Sequence, residues 1–165
     1  MAHPNTFSKQ CTIGIISDTH GLLRPEAVAA LEGSDIIIHA GDIGSAEVLN
    51  RLKEIAPLFA VRGNTDNGPW LKDIPATESA QWCGFFFHIL HDLARLDLDP
   101  QAAGIHILIS GHSHVPAITK KQGILYLNPG SAGPRRFALP ITLGRITVRG
   151  KELVPEIISL EQQDS

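Results

Sequence analysis

The patterned part of the chain opens with Cys11 to Ser17 (CTIGIIS), an apolar, β-branched run ended by polar residues, which predicts a strand buried on both faces. Pro25 suits the first position of a helix, Ala27, Val28 and Leu31 share one face, and Gly33 can end it. The same unit then repeats. Asp35 to Ala40 (DIIIHA) reads as a second buried strand, Ser45 can cap a helix with Val48, Leu49, Leu52 and Ile55 on one side, and Pro57 stops it before a third strand at Leu58 to Arg62. Strands alternating with amphipathic helices at this spacing predict right-handed βαβ units and a largely parallel sheet.

The second half has a different rhythm. Glu78 to Trp82 and Phe85 to Leu90 are strand-like with Gly84 between them, the pattern of a hairpin. Pro100 interrupts Leu93 to Ala103, so one or two short helical turns are expected there. Ile105 to Ser110 is another buried strand, and VPAITK, GILYLN, ITLGRITV and ELVPEIIS follow as strands separated by turns at Lys121-Gln122-Gly123 and Arg149-Gly150-Lys151. The alternation changes phase at Gly144, between Ile141 and Leu143 on one side and Ile146 and Val148 on the other, which predicts a bulge. There is no internal repeat. Residues 1–10 and 161–165 read as a flexible and a frayed tail around one domain over 11–160.

Composition narrows the classes. A chain of 165 residues suits one domain with one active site, and 43% hydrophobic against 19% charged residues is the balance of a globular protein. A formal net charge of -3 provides no extended basic surface for nucleic acid. No segment approaches the roughly 18 consecutive apolar residues of a membrane span, and the start MAHPNTFSKQ is no signal sequence, so a cytoplasmic location is expected. Cys11 and Cys83 have no CxxC spacing and are expected to be small buried apolar residues in a reducing compartment. The eight histidines, in a chain with one Tyr and one Met, change the picture most.

Their placement carries the chemistry. Asp18-Thr19-His20 follows the first strand, Gly41-Asp42 the second, Gly63-Asn64 the third, His91 the Phe-rich strand and Gly111-His112-Ser113-His114 the next. Ligands bind beyond the carboxyl ends of strands in open α/β sheets, so these loops should converge. The two-residue spacing of Asp18 with His20 and of His112 with His114 allows each pair to face one way in extended backbone. Two carboxylates, an amide and four imidazoles form an oxygen and nitrogen set suited to Mn, Zn, Fe, Ni or Co. Seven ligands exceed one tetrahedral ion and suit two divalent ions. Two such cations, two aspartates and one hydroxide leave a local charge of about +1, favourable for a phosphate ester. His39 reads as a hydrogen-bonded histidine behind the site, His88 and His106 as structural, His3 as tail, and Phe85, Phe86 and Phe87 as core.

D-x-H, GD, GN, H and GHSH in this order resemble the signature of the calcineurin-like metallophosphoesterase superfamily, over almost the whole chain. The Asn64-Thr65-Asp66 variant and the Asn128-Pro129-Gly130-Ser131 segment are similar to its small single-domain phosphodiesterase branch. The resemblance implies a four-layer α/β/β/α sandwich of two mixed sheets flanked by helices. It assigns Asp18, His20 and His114 to one metal, Asn64, His91 and His112 to a second, and Asp42 to a bridge, with Mn the first choice of metal. It further implies hydrolysis of a small phosphodiester by a metal-bridging hydroxide; a phosphomonoesterase with the same ions is the alternative. The superfamily also contains retromer's small scaffold subunit, so a protein-binding scaffold is the competing class, disfavoured by the complete ligand set.

Asn64 and His20 are candidate catalytic groups. Asp66, at the position of the family's catalytic His, is a candidate for assisting the leaving group or orienting His20. Asn128 is either a plain turn residue or a support for the metal histidines, which the resemblance favours. Arg135 and Arg136 either steer the anionic substrate or form a solvated pair. The family usually has Gly where this chain has Asp92; Asp92 is either a helix N-cap or an added carboxylate near the metals. The antiparallel C-terminal edge would allow a homo-oligomer.

Overall fold

A computed structural model describes residues 10–161. The tail expectations for residues 1–9 and 162–165, and His3, lie outside them. The strands are β1 (Cys11–Ile16), β2 (Ile36–His39), β3 (Leu58–Ala60), β4 (Thr77–Trp82), β5 (Phe85–Leu90), β6 (Ile107–Ile109), β7 (Ala117–Lys121), β8 (Ile124–Asn128), β9 (Thr142–Arg149) and β10 (Glu152–Ser159). The helices are α1 (Pro25–Leu31) and α2 (Ala46–Lys53). Two five-stranded mixed sheets result, ordered β10-β9-β1-β2-β3 and β4-β5-β6-β8-β7. β1, β2 and β3 run parallel, as do β5, β6 and β8, while β9, β10, β4 and β7 are antiparallel additions.

Strand alternation builds the layers. Ile13, Ile15 and Ile38 of the first sheet meet Phe87, Ile89, Ile107 and Ile109 of the second in an apolar seam. Ile16, Ile37 and Leu143 point the other way, onto Leu31 of α1 and Val48 and Leu52 of α2. Each fully buried side chain of this size contributes about 1.5–3 kcal/mol, and a one-residue slip would invert a whole strand. The strand ends are therefore held in register. Over the outer face of the second sheet the fourth layer is thin: a 3-10 turn at Leu93–Arg95 and the following loop place Leu96 and Leu98 on Leu90 and Leu108.

Three expectations need correction. No bulge occurs at Gly144, since β9 pairs with β10 without a break from Thr142 to Arg149. The change of phase instead reflects a strand buried on both faces, with Leu143 in the helix-side core and Ile146 and Val148 in the seam. Ser45 precedes α2 but makes no side-chain cap bond. Cys11 and Cys83 are not free apolar residues; they form a disulfide joining the start of β1 to the β4–β5 turn, with Cα atoms 6.4 Å apart. Their partners were hidden because 72 residues separate them in sequence.

Candidate metal centre

Five strand ends, those of β1, β2, β3, β5 and β6, deliver the polar residues to one edge of the sandwich. The D-x-H and H-x-H pairs do not converge through extended backbone, as their spacing suggested. Asp18 (φ 55°), His20 (φ 47°), Asp42 (φ 53°), His112 (φ 72°) and His114 (φ 63°) all occupy the left-handed region, which side chains with a Cβ rarely adopt. Such strain persists only where surrounding structure imposes it, and it clusters at functional sites.

Asp18 lies at the centre. Its side chain is fully buried. Oδ2 accepts from the Ser17 hydroxyl at 2.6 Å and the His112 amide at 3.1 Å, whereas Oδ1 has no hydrogen-bond partner among the described residues. Around Oδ1 stand the Nε2 atoms of His114 at 3.3 Å and of His20 and His91 at 3.9 Å. A buried carboxylate oxygen left unpaired is costly, and the three imidazole nitrogens around it are candidate ligands for a cation. Asp18 belongs to two compact triads, one with His20 and His114 and one with Asp42 and His91. Asp42 Oδ2 stands 3.2 Å from His91 Nε2 and 3.8 Å from His20 Nε2, between the triads. Asn64 Oδ1 lies 3.0 Å from His91 Nε2 and 3.1 Å from His112 Nδ1. The structure thus brings all seven residues together.

Neighbouring groups set the charge and the imidazole orientation. Burial disfavours the Asp42 anion, but the bond from His91 and the Thr65 amide at 2.9 Å hold its carboxyl well below the usual carboxylate range. Burial also opposes charge on His91, yet Asp42, Asp18 and the Ala40 carbonyl outweigh it and raise its pKa. His91 Nδ1–H donates to that carbonyl at 2.8 Å, which turns Nε2 toward the site. His114 is pushed down by burial, opposed by Asp18 and reinforced by the charge of Arg136.

A supporting network lies behind the ligands. The Gly41 amide donates to His39 Nδ1 at 3.1 Å, so His39 Nε2 carries the proton toward the Thr19 hydroxyl at 2.9 Å, and Thr19 donates to the Ile43 carbonyl. Asn128 donates to the Gly111 carbonyl and the Ser113 hydroxyl and accepts from the Gly130 amide, which braces the 111–114 turn. Burial holds the His39 pKa down to about 3 from an ordinary 6.5. Below pH 6.5 the unfolded chain therefore takes up a proton that the folded chain refuses, so stability is full at neutral pH and falls as pH drops. The loss by pH 5 is expected to be about 2 kcal/mol, and thermal melts from pH 7 to 4 should show a shallower decline for His39→Gln.

Asp66 and Arg135 are both engaged within the protein. Both oxygens of Asp66 are taken by backbone amides, Oδ2 by Ile43 and Gly63 and Oδ1 by Gly44. Asp66 clamps two ligand loops together instead of facing a leaving group or His20. The Arg135 guanidinium donates to the Leu139 carbonyl and pairs with Glu161, while its neighbour Arg136 is the one whose charge reaches His114. The alternatives for Asp92 coincide. Its Oδ1 caps the 3-10 turn by accepting from Ala94 at 3.0 Å, and its Oδ2 lies 3.8 Å from His112 Nε2, the ring nitrogen facing away from Asn64. His88 bonds Ser79 and His106 accepts from the Phe86 amide, both within the second sheet. Ser17, which holds Asp18 Oδ2, escaped notice; a hydroxyl closing a buried strand beside an acid was its signal.

Comparison with known proteins gives the family and the fold. Residues 12–151 match the calcineurin-like phosphoesterase superfamily domain. A probable metallophosphoesterase of Methanocaldococcus jannaschii is 34% identical over 163 residues, covering 91% of this chain and 82% of that protein. The solved structure of an archaeal phosphodiesterase superposes with a TM-score of 0.74 at 26% identity, covering 89% of this chain and 99% of the other. Vacuolar protein sorting 29 of Cryptosporidium parvum shares the fold, with a TM-score of 0.74 at 20% identity over 91% and 98% of the two chains. Ordered ligands, paired mixed sheets and sequence similarity across most of its length converge, and the chain belongs to the calcineurin-like phosphoesterase superfamily.

Proposed function

We propose that this protein is a metal-dependent phosphodiesterase that hydrolyses a small phosphodiester. The observation that carries the reading is Asp18 Oδ1, buried without a partner and ringed by three imidazole nitrogens at 3.3–3.9 Å. Asp18, His20 and His114 would hold one divalent cation, Asn64, His91 and His112 a second, with Asp42 shared. Mn is the first choice, and Zn, Fe, Ni or Co suit the same ligands. When bound, the cations would supply Lewis acidity and an activated water.

The chain's own residues do the rest. His91 is oriented by the Ala40 carbonyl, and Asp42 is kept ionised by His91 and Thr65. Asn64, exposed at the rim, offers an oxygen without adding negative charge, and its amide N–H groups are the donors for a phosphate oxygen. A local charge of about +1 suits a phosphate ester, and the archaeal relative of this fold that is 26% identical carries the name phosphodiesterase.

The test strips the protein of metal, restores Mn and compares bis-p-nitrophenyl phosphate with p-nitrophenyl phosphate, with Asp42→Ala and His114→Ala as controls. Hydrolysis of the diester is expected to return with Mn and to exceed that of the monoester. If metal restores no hydrolysis, or both variants keep full activity, the reading fails; monoester preference would make the protein a phosphomonoesterase.

A further inference from the structure

Beside the ligand cluster lies a cleft of about 610 Å³ whose walls include Asn64, His91 and His112 together with Arg62, Asp92 and Arg95. Its size is within the range of ligand pockets and exceeds what a lone phosphoryl group fills. Two arginines face one acid, so the cleft is cationic even before any metal is counted. The Arg62 guanidinium makes no hydrogen bond or ion pair among the described residues, while the residue's backbone amide donates to the Pro75 carbonyl. The Arg95 side chain is 85% exposed and, among the described residues, pairs only with Asp92, at 4.0 Å. Asp92 itself is committed elsewhere, to the Ala94 amide and toward His112. On the other side of the Asp92–His112 wall is a smaller cavity of about 330 Å³ lined by Leu93, Val115 and Tyr126 and lacking any cation. The two cavities thus differ in chemistry, and of these two only the larger is lined by arginines.

We infer that Arg62 and Arg95 form a subsite for a second anionic group, a phosphate or a carboxylate, carried on one arm of the substrate while the scissile phosphate sits at the ligand cluster. This rests on the phosphodiesterase reading and narrows it to diesters bearing an extra negative charge. Guanidinium groups bind phosphate and carboxylate through paired N–H donors, and both arginines have such donors to spare. A merely solvated pair of charges would show no selectivity.

The Mn-loaded protein is assayed at about 150 mM salt, where long-range attraction is screened, on three p-nitrophenyl esters of thymidine 5′-phosphate. One has a free 3′-hydroxyl, one a 3′-phosphate and one a 3′-O-carboxymethyl group. Wild type is expected to favour a charged ester over the neutral-ended one by roughly tenfold or more in kcat/KM, and the better of the two names the group. In the Arg62→Ala/Arg95→Ala variant the ratio should fall to near one. A ratio near one in wild type, or one that survives in the variant, overturns the inference; survival with a uniform loss of rate would mean that the arginines bind the scissile phosphate. If no ester is cleaved, the phosphodiesterase reading fails and calorimetry decides the subsite. Thymidine 3′,5′-bisphosphate should then bind roughly tenfold tighter than thymidine 5′-monophosphate, dependent on both arginines, and equal binding would overturn the subsite.

Discussion

Asp18→Asn is expected to cost roughly 1,000-fold in metal-dependent hydrolysis, about 4 kcal/mol of transition-state stabilisation, and to lower bound metal per chain. The reason is position. Oδ1 of Asp18 belongs to both triads and lies within 3.9 Å of three imidazole nitrogens, so neutralising it weakens both halves of the site at once. The amide can keep the contacts to Ser17 and the His112 backbone only by reorienting, because an NH2 cannot accept. Elemental analysis of the dialysed protein, run beside the kinetics, separates loss of metal from loss of chemistry. Thermal melts supply the internal control: Mn should raise the midpoint of wild type and leave that of the variant nearly unmoved. A variant that retained full metal and full activity would show that the orphaned oxygen is not a ligand.

Gly41→Ala is expected to destabilise the fold by about 2–4 kcal/mol and to reduce activity by roughly 100-fold. Gly41 has φ 102°, outside the regions open to other residues, and a Cβ there would lie 2.6 Å from Nδ1 and 2.9 Å from Cβ and Cγ of His91. The ring cannot yield without losing its bond to the Ala40 carbonyl, which aims Nε2 at the site. Denaturant midpoints measure the first effect and Mn titration of activity the second. Gly63 and Gly111 serve the same end with less torsional strain, since a Cβ would run into Asp42 or into Ser17 and Asp18. Stability unchanged by the substitution would mean that the close approach of backbone to ligand is not required.

Much of the architecture was legible from periodicity. β-Branched runs of six and seven residues, proline at a helix start and glycine at its end identify elements through local sterics, and β1, α1, β2 and α2 lie where those signals placed them. The candidate ligands were legible for a related reason: polar residues ending buried strands have nowhere to go but the edge where the loops gather. Gly144 shows where periodicity misleads. A change in alternation looks the same whether a bulge shifts the register or both faces of a strand are buried, and only the presence of α1 and α2 over one face of β9 decides between them.

Sequence by itself determined which side chains could bind metal and which strand each one follows, because ligand chemistry and strand patterning are local. Tertiary structure alone decided what each group faces. It placed Asp18 in both triads, turned Asp66 onto three backbone amides, engaged Arg135 with Glu161, joined Cys11 to Cys83 and set Arg62 and Arg95 along one cleft. Those outcomes depend on contacts between residues far apart in sequence. Their geometry is set by how two sheets pack and by the left-handed turns at the ligand positions, and no spacing rule along the chain encodes either.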